Sequence, residues 1–296
     1  MRTPLLCCAL LYLLASSVAA QTRESLLVTA DWLAAHLDDP QLVLLHVGPR
    51  DAYATEHIRG ARFVDLREIA PNADGLTLQM PSTEELREKL SRLGISNDSR
   101  VVVSFANGSI SAATRLMLTL DYAGLENARL LDGGLAAWKE QNRPLTDQVP
   151  AQRTGTLTTL NVKPLIVTAE QVQAAIGKAG TVVVDARTTA FYDGVSPGGG
   201  AERPHKTGHV AGARSVPYLT LYTSSGTLKP AEELEQVFAD AGVKRDDTVI
   251  GYCHIGQQAT AMLFAARALG HKVLLYDGSF EDWSRRDLPV EASVRK

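Results

Sequence analysis

Short apolar runs alternate along this chain with stretches of amphipathic, helical spacing. Leu42–Val47, 101–105, 181–184 and Thr248–Tyr252 read as strands rich in β-branched residues. Val101-Val102-Val103 and Val182-Val183-Val184 show no polar alternation, the pattern of strands buried on both faces. Segments 31–37 and 170–176 have the spacing of short amphipathic helices. Strands and helices that alternate in this way predict an α/β fold of small, mostly parallel sheets flanked by helices. In such sheets the chemistry lies beyond the carboxyl ends of the strands.

The pattern occurs twice. Leu27-Val28-Thr29-Ala30 returns as Ile166-Val167-Thr168-Ala169, and each copy leads into its helix. The strands that follow end at Gly48-Pro49-Arg50 and Asp185-Ala186-Arg187. His57-Ile58-Arg59-Gly60-Ala61 matches His209-Val210-Ala211-Gly212-Ala213. After the next strand, Ala113-Thr114 matches Ala259-Thr260. Leu131-Asp132-Gly133-Gly134 with Trp138 then matches Tyr276-Asp277-Gly278-Ser279 with Trp283. The period is far longer than a solenoid unit. Two homologous domains are expected, at 21–145 and 164–296, with 146–163 as a linker that lacks apolar periodicity. Residues 194–204 are an insertion relative to the first copy: a loop near the site, or a tolerated insertion.

Charge and composition narrow the function. The net charge is −3 over 296 residues, with no block of like charges. Nucleic acid has no electrostatic footprint here, nor does a membrane surface. Residues 1–20 stand apart: Arg2 is their only charge, 5–14 is apolar, and small residues lead to Ala20. This is the layout of a secretory signal, cut before Gln21 or after Ala19. The alternative is an uncleaved anchor, although the apolar run is short of the roughly 20 residues of a bilayer span. The expectation is an exported, periplasmic protein that leaves the membrane on cleavage. Cys7 and Cys8 depart with the leader, and Cys253 is then alone. A lone thiol in an oxidising compartment must be buried or used.

Cys253 falls between the strand Thr248–Tyr252 and a helix expected to run to about Leu269, with Gly270 as its stop. At such a junction successive backbone N–H groups can form an anion-binding nest. The helix dipole adds positive potential. Both effects predict a lowered thiol pKa, and the thiolate is the nucleophile. Gly256 gives the loop freedom to wrap tightly. The alternative is a small apolar cysteine that closes a core strand.

The loop Cys253-His254-Ile255-Gly256-Gln257-Gln258 does not stand alone. Asp185-Ala186-Arg187, Gly208-His209-Val210-Ala211-Gly212-Ala213, and Asp277-Gly278 followed by Trp283 accompany it. Together they resemble the tandem rhodaneses, the thiosulfate and 3-mercaptopyruvate sulfurtransferases, over essentially the whole chain after the leader. The resemblance implies an enzyme without metal or organic cofactor. It would pass a sulfane sulfur from a small anionic donor, through a persulfide on Cys253, to a thiophilic acceptor such as cyanide or a thiol. It also implies that the second domain is catalytic and the first silent. Aligning Ala113-Thr114 on Ala259-Thr260 puts Asn107 in the place of Cys253.

In that family pattern His254, Ile255, Gly256, Gln257 and Gln258 line the substrate, the two glutamines through backbone N–H groups. His254 would assist anion binding or proton transfer, or face solvent. Asp185 and Arg187 would build the site, or form an ion pair that holds the loop. The loop matches neither the basic loop of the thiosulfate type nor the Gly/Ser-rich loop of the mercaptopyruvate type. Phe191 also stands before Tyr192 where some members carry a basic residue. The donor therefore stays open between the two. A phosphatase with a Cys-x5-Arg loop is disfavoured, because Ala259 occupies the arginine's place. A non-enzymatic sulfur carrier, or a thiol-dependent binding module, would have the same loop. His57 and His209 recur in both copies, which argues for a structural hydrogen bond. His205 and His209 lack a continuous helix, with Pro204 and Gly208 between and beside them, and lack a third metal ligand.

Overall fold

The computed structural model describes residues 23–200 and 205–293. The leader read at 1–20, with Cys7 and Cys8, lies outside the described residues, as does Pro204.

The first half runs β1 (Leu27–Val28), α1 (Ala30–His36), β2 (Leu42–Val47), α2 (Arg50–Thr55), β3 (Arg62–Val64), α3 (Leu66–Ile69), α4 (Thr83–Arg92), β4 (Arg100–Phe105), α5 (Ile110–Tyr122), β5 (Ala128–Leu131) and α6 (Gly134–Glu140). The second half runs β6 (Ile166–Val167), α7 (Ala169–Ala175), β7 (Thr181–Asp185), α8 (Thr189–Tyr192), β8 (His209–Val210) and β9 (Arg214–Ser215). It continues through α9 (Ala231–Asp240), β10 (Thr248–Tyr252), α10 (Gln258–Ala268), β11 (Val273–Tyr276), α11 (Ser279–Arg285) and β12 (Val290–Glu291).

Each half forms a five-stranded sheet, ordered β1-β5-β4-β2-β3 and β6-β11-β10-β7-β9. All pairings within both sheets are parallel. β8 and β12 add a short antiparallel pair. The repeated residues explain the repeated architecture. Thr29 and Thr168 cap α1 and α7 by accepting from the N–H groups of Trp32 and Gln171. Both helices accordingly start one residue earlier than their apolar spacing suggests. The indoles of Trp138 and Trp283 donate to the carbonyls of Pro144 and Pro289, each at 3.0 Å. His57 and His209 stack on Tyr53 and Tyr192 and bond those tyrosines' carbonyl oxygens through Nδ1 at 2.7 Å. Both histidines thus play the same structural part.

The valines of β4 are buried on both faces, and so are most residues of α5 and α10. A helix that is apolar nearly all round must be covered on every side. These two cover each other, and Leu116 and Leu120 of α5 share one apolar cluster with Met262 and Leu263 of α10. Residues 146–163 form neither helix nor extended strand but run along the first domain. Leu157 is buried in the shared cluster, and Gly155 N–H donates to the Ser91 carbonyl at 2.8 Å. No helix among the described residues is long and apolar enough to cross a membrane.

Candidate active site

β10 lies between β7 and β11 in its sheet, and Cys253 follows its last residue at the carboxyl end. Five residues later α10 begins. Cys253 is completely buried, and it is the one free cysteine among the described residues. The loop is pinned from behind by the start of α11. Cys253 N–H donates to Ser279 Oγ at 3.2 Å, Phe280 N–H to the Cys253 carbonyl at 3.0 Å, and Glu281 N–H to the His254 carbonyl at 2.9 Å. On the inner side, the backbone N–H groups of Ala259, Ile255 and Gln258 converge on Sγ. Gly256 makes the turn possible. Its φ is +77°, and a Cβ there would approach the Asp277 carbonyl oxygen to 2.9 Å.

The nest expected at this junction is present, but the expected fall in thiol pKa is not. Burial pushes the Cys253 thiol above its ordinary value, and the three amides pull it down without overcoming that effect. Amides and helix dipole act locally at the junction, whereas the enclosure of the sulfur comes from the rest of the molecule.

Asp185 and Arg187 form a buried ion pair. Arg187 Nε lies 3.0 Å from both carboxylate oxygens, and Nη2 donates to Asp185 Oδ2 at 2.6 Å and to the Gly208 carbonyl at 2.7 Å. The guanidinium also sits 4.1 Å above the Phe280 ring, the residue whose N–H holds Cys253. This is an ion pair that braces the loop. His254 is half-buried. Its ring meets Phe191 edge-on at 4.5 Å and lies 5.7 Å from His205. Burial, followed by the Arg187 charge, lowers its pKa to about 4. His254 is therefore neutral near pH 7 and carries no charge to an anion. Gly198 of the insertion packs on it so closely that a Cβ would reach His254 Cε1 at 2.7 Å. His209, by contrast, is held by Tyr192, as described above. No group of three or more metal-ligating side chains stands together among the described residues.

The first domain supplies a residue that the motif reading passed over. Arg115, on α5, is fully buried. Its Nη1 donates to Asp277 Oδ1 at 2.5 Å and to the Gly256 carbonyl at 3.4 Å, and its Nη2 donates to the Leu78 carbonyl at 2.6 Å. Asp277 Oδ2 accepts from Met80 N–H at 2.7 Å. Gln257 Nε2 donates to Ser111 Oγ at 3.1 Å. Thr114 and Thr260, paired in the repeat, meet hydroxyl to hydroxyl at 3.0 Å. The Cys253 loop is thus closed from outside by the first domain. The one available signal was a guanidinium in the middle of a largely apolar helix, at the place where the second copy has Ala261.

A Rhodanese-like domain model matches residues 29–141 and again 168–286. The 3-mercaptopyruvate sulfurtransferase of Escherichia coli (strain K12) is 31% identical over 278 residues, covering 89% of this chain and 97% of that protein. The Sulfur carrier protein TtuD of Thermus thermophilus is 31% identical over 273 residues, covering 88% and 94%. The solved structure of the 3-mercaptopyruvate sulfotransferase SseA from Escherichia coli superposes with a TM-score of 0.76 at 28% identity, over 86% of this chain and 98% of that one. This chain belongs to the rhodanese family, as a tandem member with two such domains, and is an enzyme of its sulfurtransferase class.

Proposed function

We propose that the protein moves a sulfane sulfur from thiosulfate or 3-mercaptopyruvate to a thiophilic acceptor through a persulfide on Cys253. The observation that carries this reading is the convergence of three backbone N–H groups on Sγ at the carboxyl end of the sheet. With thiosulfate, the thiol loses its proton and Sγ attacks the outer sulfur. A new S–S bond forms, the donor's S–S bond breaks, and sulfite leaves with the electron pair. The acceptor then attacks the terminal sulfur, and Cys253 leaves as thiolate. The three amides suit this sequence because they are already aimed at the atom where negative charge develops. Ping-pong kinetics follow from the two half-reactions. The leader read at 1–20 makes the proposed site of action the periplasm, tested by fractionation and by the mass of the mature N-terminus.

A second reading, a sulfur carrier that loads once, is favoured by the likeness to the Thermus carrier protein. Steady-state thiocyanate production from cyanide, measured against a panel of thiosulfate and 3-mercaptopyruvate, separates the two. Continuous turnover supports the enzyme, and one sulfur released per chain supports the carrier. The silent first domain belongs to the same proposal, resting on Asn107 in the cysteine's place.

A further inference from the structure

A cavity of about 440 Å³ lies between the two domains. The first domain contributes Arg50, the first residue of α2, and Arg67, in α3. The catalytic loop contributes Ile255 and Gln257. The volume falls in the range of roughly 300–1,000 Å³ typical of small-molecule sites. Ile255 lines this cavity and also directs its N–H at Sγ, so the cavity and the reacting atom share a residue of the loop, two positions after Cys253. Thiosulfate or cyanide would fill only a fraction of it.

The charges in the cavity have a direction. Arg50 and Arg67 are exposed, and among the described residues neither stands in an ion pair. Arg50 is held with its guanidinium 4.3 Å over the Phe63 ring, which also lines the cavity. That stacking fixes the group and leaves its N–H edge free for an anion. The one carboxylate in the lining, Asp65, accepts from the Arg67 backbone N–H at 2.9 Å through Oδ1. Two guanidinium groups thus outnumber one carboxylate whose oxygen is already engaged.

We propose that this cavity is an acceptor subsite for a thiol that carries carboxylates, held by Arg50 and Arg67 while its sulfur reaches the persulfide. The proposal rests on the persulfide reading above. In the step it serves, the acceptor thiol loses its proton to solvent and attacks the terminal sulfur. The acceptor gains an S–S bond, and the bond to Sγ breaks to return Cys253 as thiolate. The silent domain would then select the acceptor, through planar, two-pronged donors that match carboxylate geometry.

The test compares wild type with Arg50→Ala/Arg67→Ala, using thiosulfate as donor. The acceptors are mercaptosuccinate, which has two carboxylates, and 2-mercaptoethanol, which has none. The expected result is a rise of about tenfold or more in KM for mercaptosuccinate, the size of a lost charge-assisted contact, with KM for 2-mercaptoethanol moving less than about twofold. Equal changes for both thiols, or none, would overturn the subsite. Calorimetric binding of S-methylmercaptosuccinate to Cys253→Ser, with and without the two arginine substitutions, reads the subsite without any sulfur transfer. Binding that depends on the arginines supports the subsite even in a protein that transfers no sulfur, an outcome that would remove only the persulfide reading. Binding that is absent, or indifferent to the arginines, contradicts the subsite itself.

Discussion

The two domains share a strand order, a capping threonine and a tryptophan anchor, but their strand–helix junctions end in opposite surroundings. In the first domain Asn107 and Gly108 are exposed. In the second, Cys253 is completely buried. The enclosing contacts are partly mutual. Met80 N–H donates to Asp277 Oδ2 across the interface, and Leu228 N–H donates back to Asp132 Oδ1 at 2.9 Å. What has no counterpart is Arg115, which binds the Gly256 carbonyl and Asp277 from the other domain. Its repeat position in the second copy is Ala261, whose carbonyl accepts from Tyr222 Oη at 2.8 Å. Duplication built the scaffold twice, and the interface completed only one of the two junctions. The first domain is therefore a wall around the Cys253 loop as well as a repeat of its scaffold.

The sharpest way to break this comparison is to move the thiol. Cys253→Ser should reduce sulfur transfer by at least about a thousandfold with the fold intact, read by thiocyanate production and circular dichroism. Adding Asn107→Cys should restore none of it, because that junction lacks the enclosure. Recovery of transfer would contradict the asymmetry. Next in size, Arg115→Ala leaves Asp277 buried without its cation. The expected cost is about 3–5 kcal/mol of stability, read by denaturant unfolding. Substituting Ala261, its counterpart, by glycine should cost only about 1 kcal/mol.

The histidines offer a third test through pH. Burial lowers both His46, in the first domain, and His254, in the second, to about 4. The folded state then binds fewer protons than the unfolded state between the ordinary histidine value and about 4. The stability these neutral rings support is present above the ordinary value and is lost as pH falls toward 4. The loss is up to roughly 3 kcal/mol for each. His254→Asn should flatten its share of that slope, and an unchanged slope would contradict the buried, neutral ring. The smallest contrast is between two glycines of nearly equal φ. Gly256→Ala meets backbone at 2.9 Å, whereas Gly108→Ala, at φ +76°, meets nothing within 4 Å. The expected costs are about 2–3 kcal/mol for Gly256 and about 1 kcal/mol for Gly108.

Much of the scaffold was legible because it rests on local rules. Valine runs mark strands buried on both faces, the repeated Thr29 and Thr168 mark helix starts, and Gly270 marks a helix end. The junction that holds Cys253 was legible for the same reason. What local rules missed came from across the interface. Arg115 reaches Gly256 over 141 positions of sequence, and no spacing motif spans that distance. The rise in the thiol pKa and the neutrality of His254 both follow from burial by distant segments. Gly198, within the described part of the insertion, shows why a glycine-rich segment tolerates such close packing on His254.

The central claim is tested most directly by intact-mass measurement of the protein after thiosulfate is added without an acceptor. The account predicts a one-sulfur adduct on wild type that cyanide removes, and no adduct on Cys253→Ser. Steady sulfur transfer with no adduct on Cys253, or an adduct that persists in the serine variant, would contradict it.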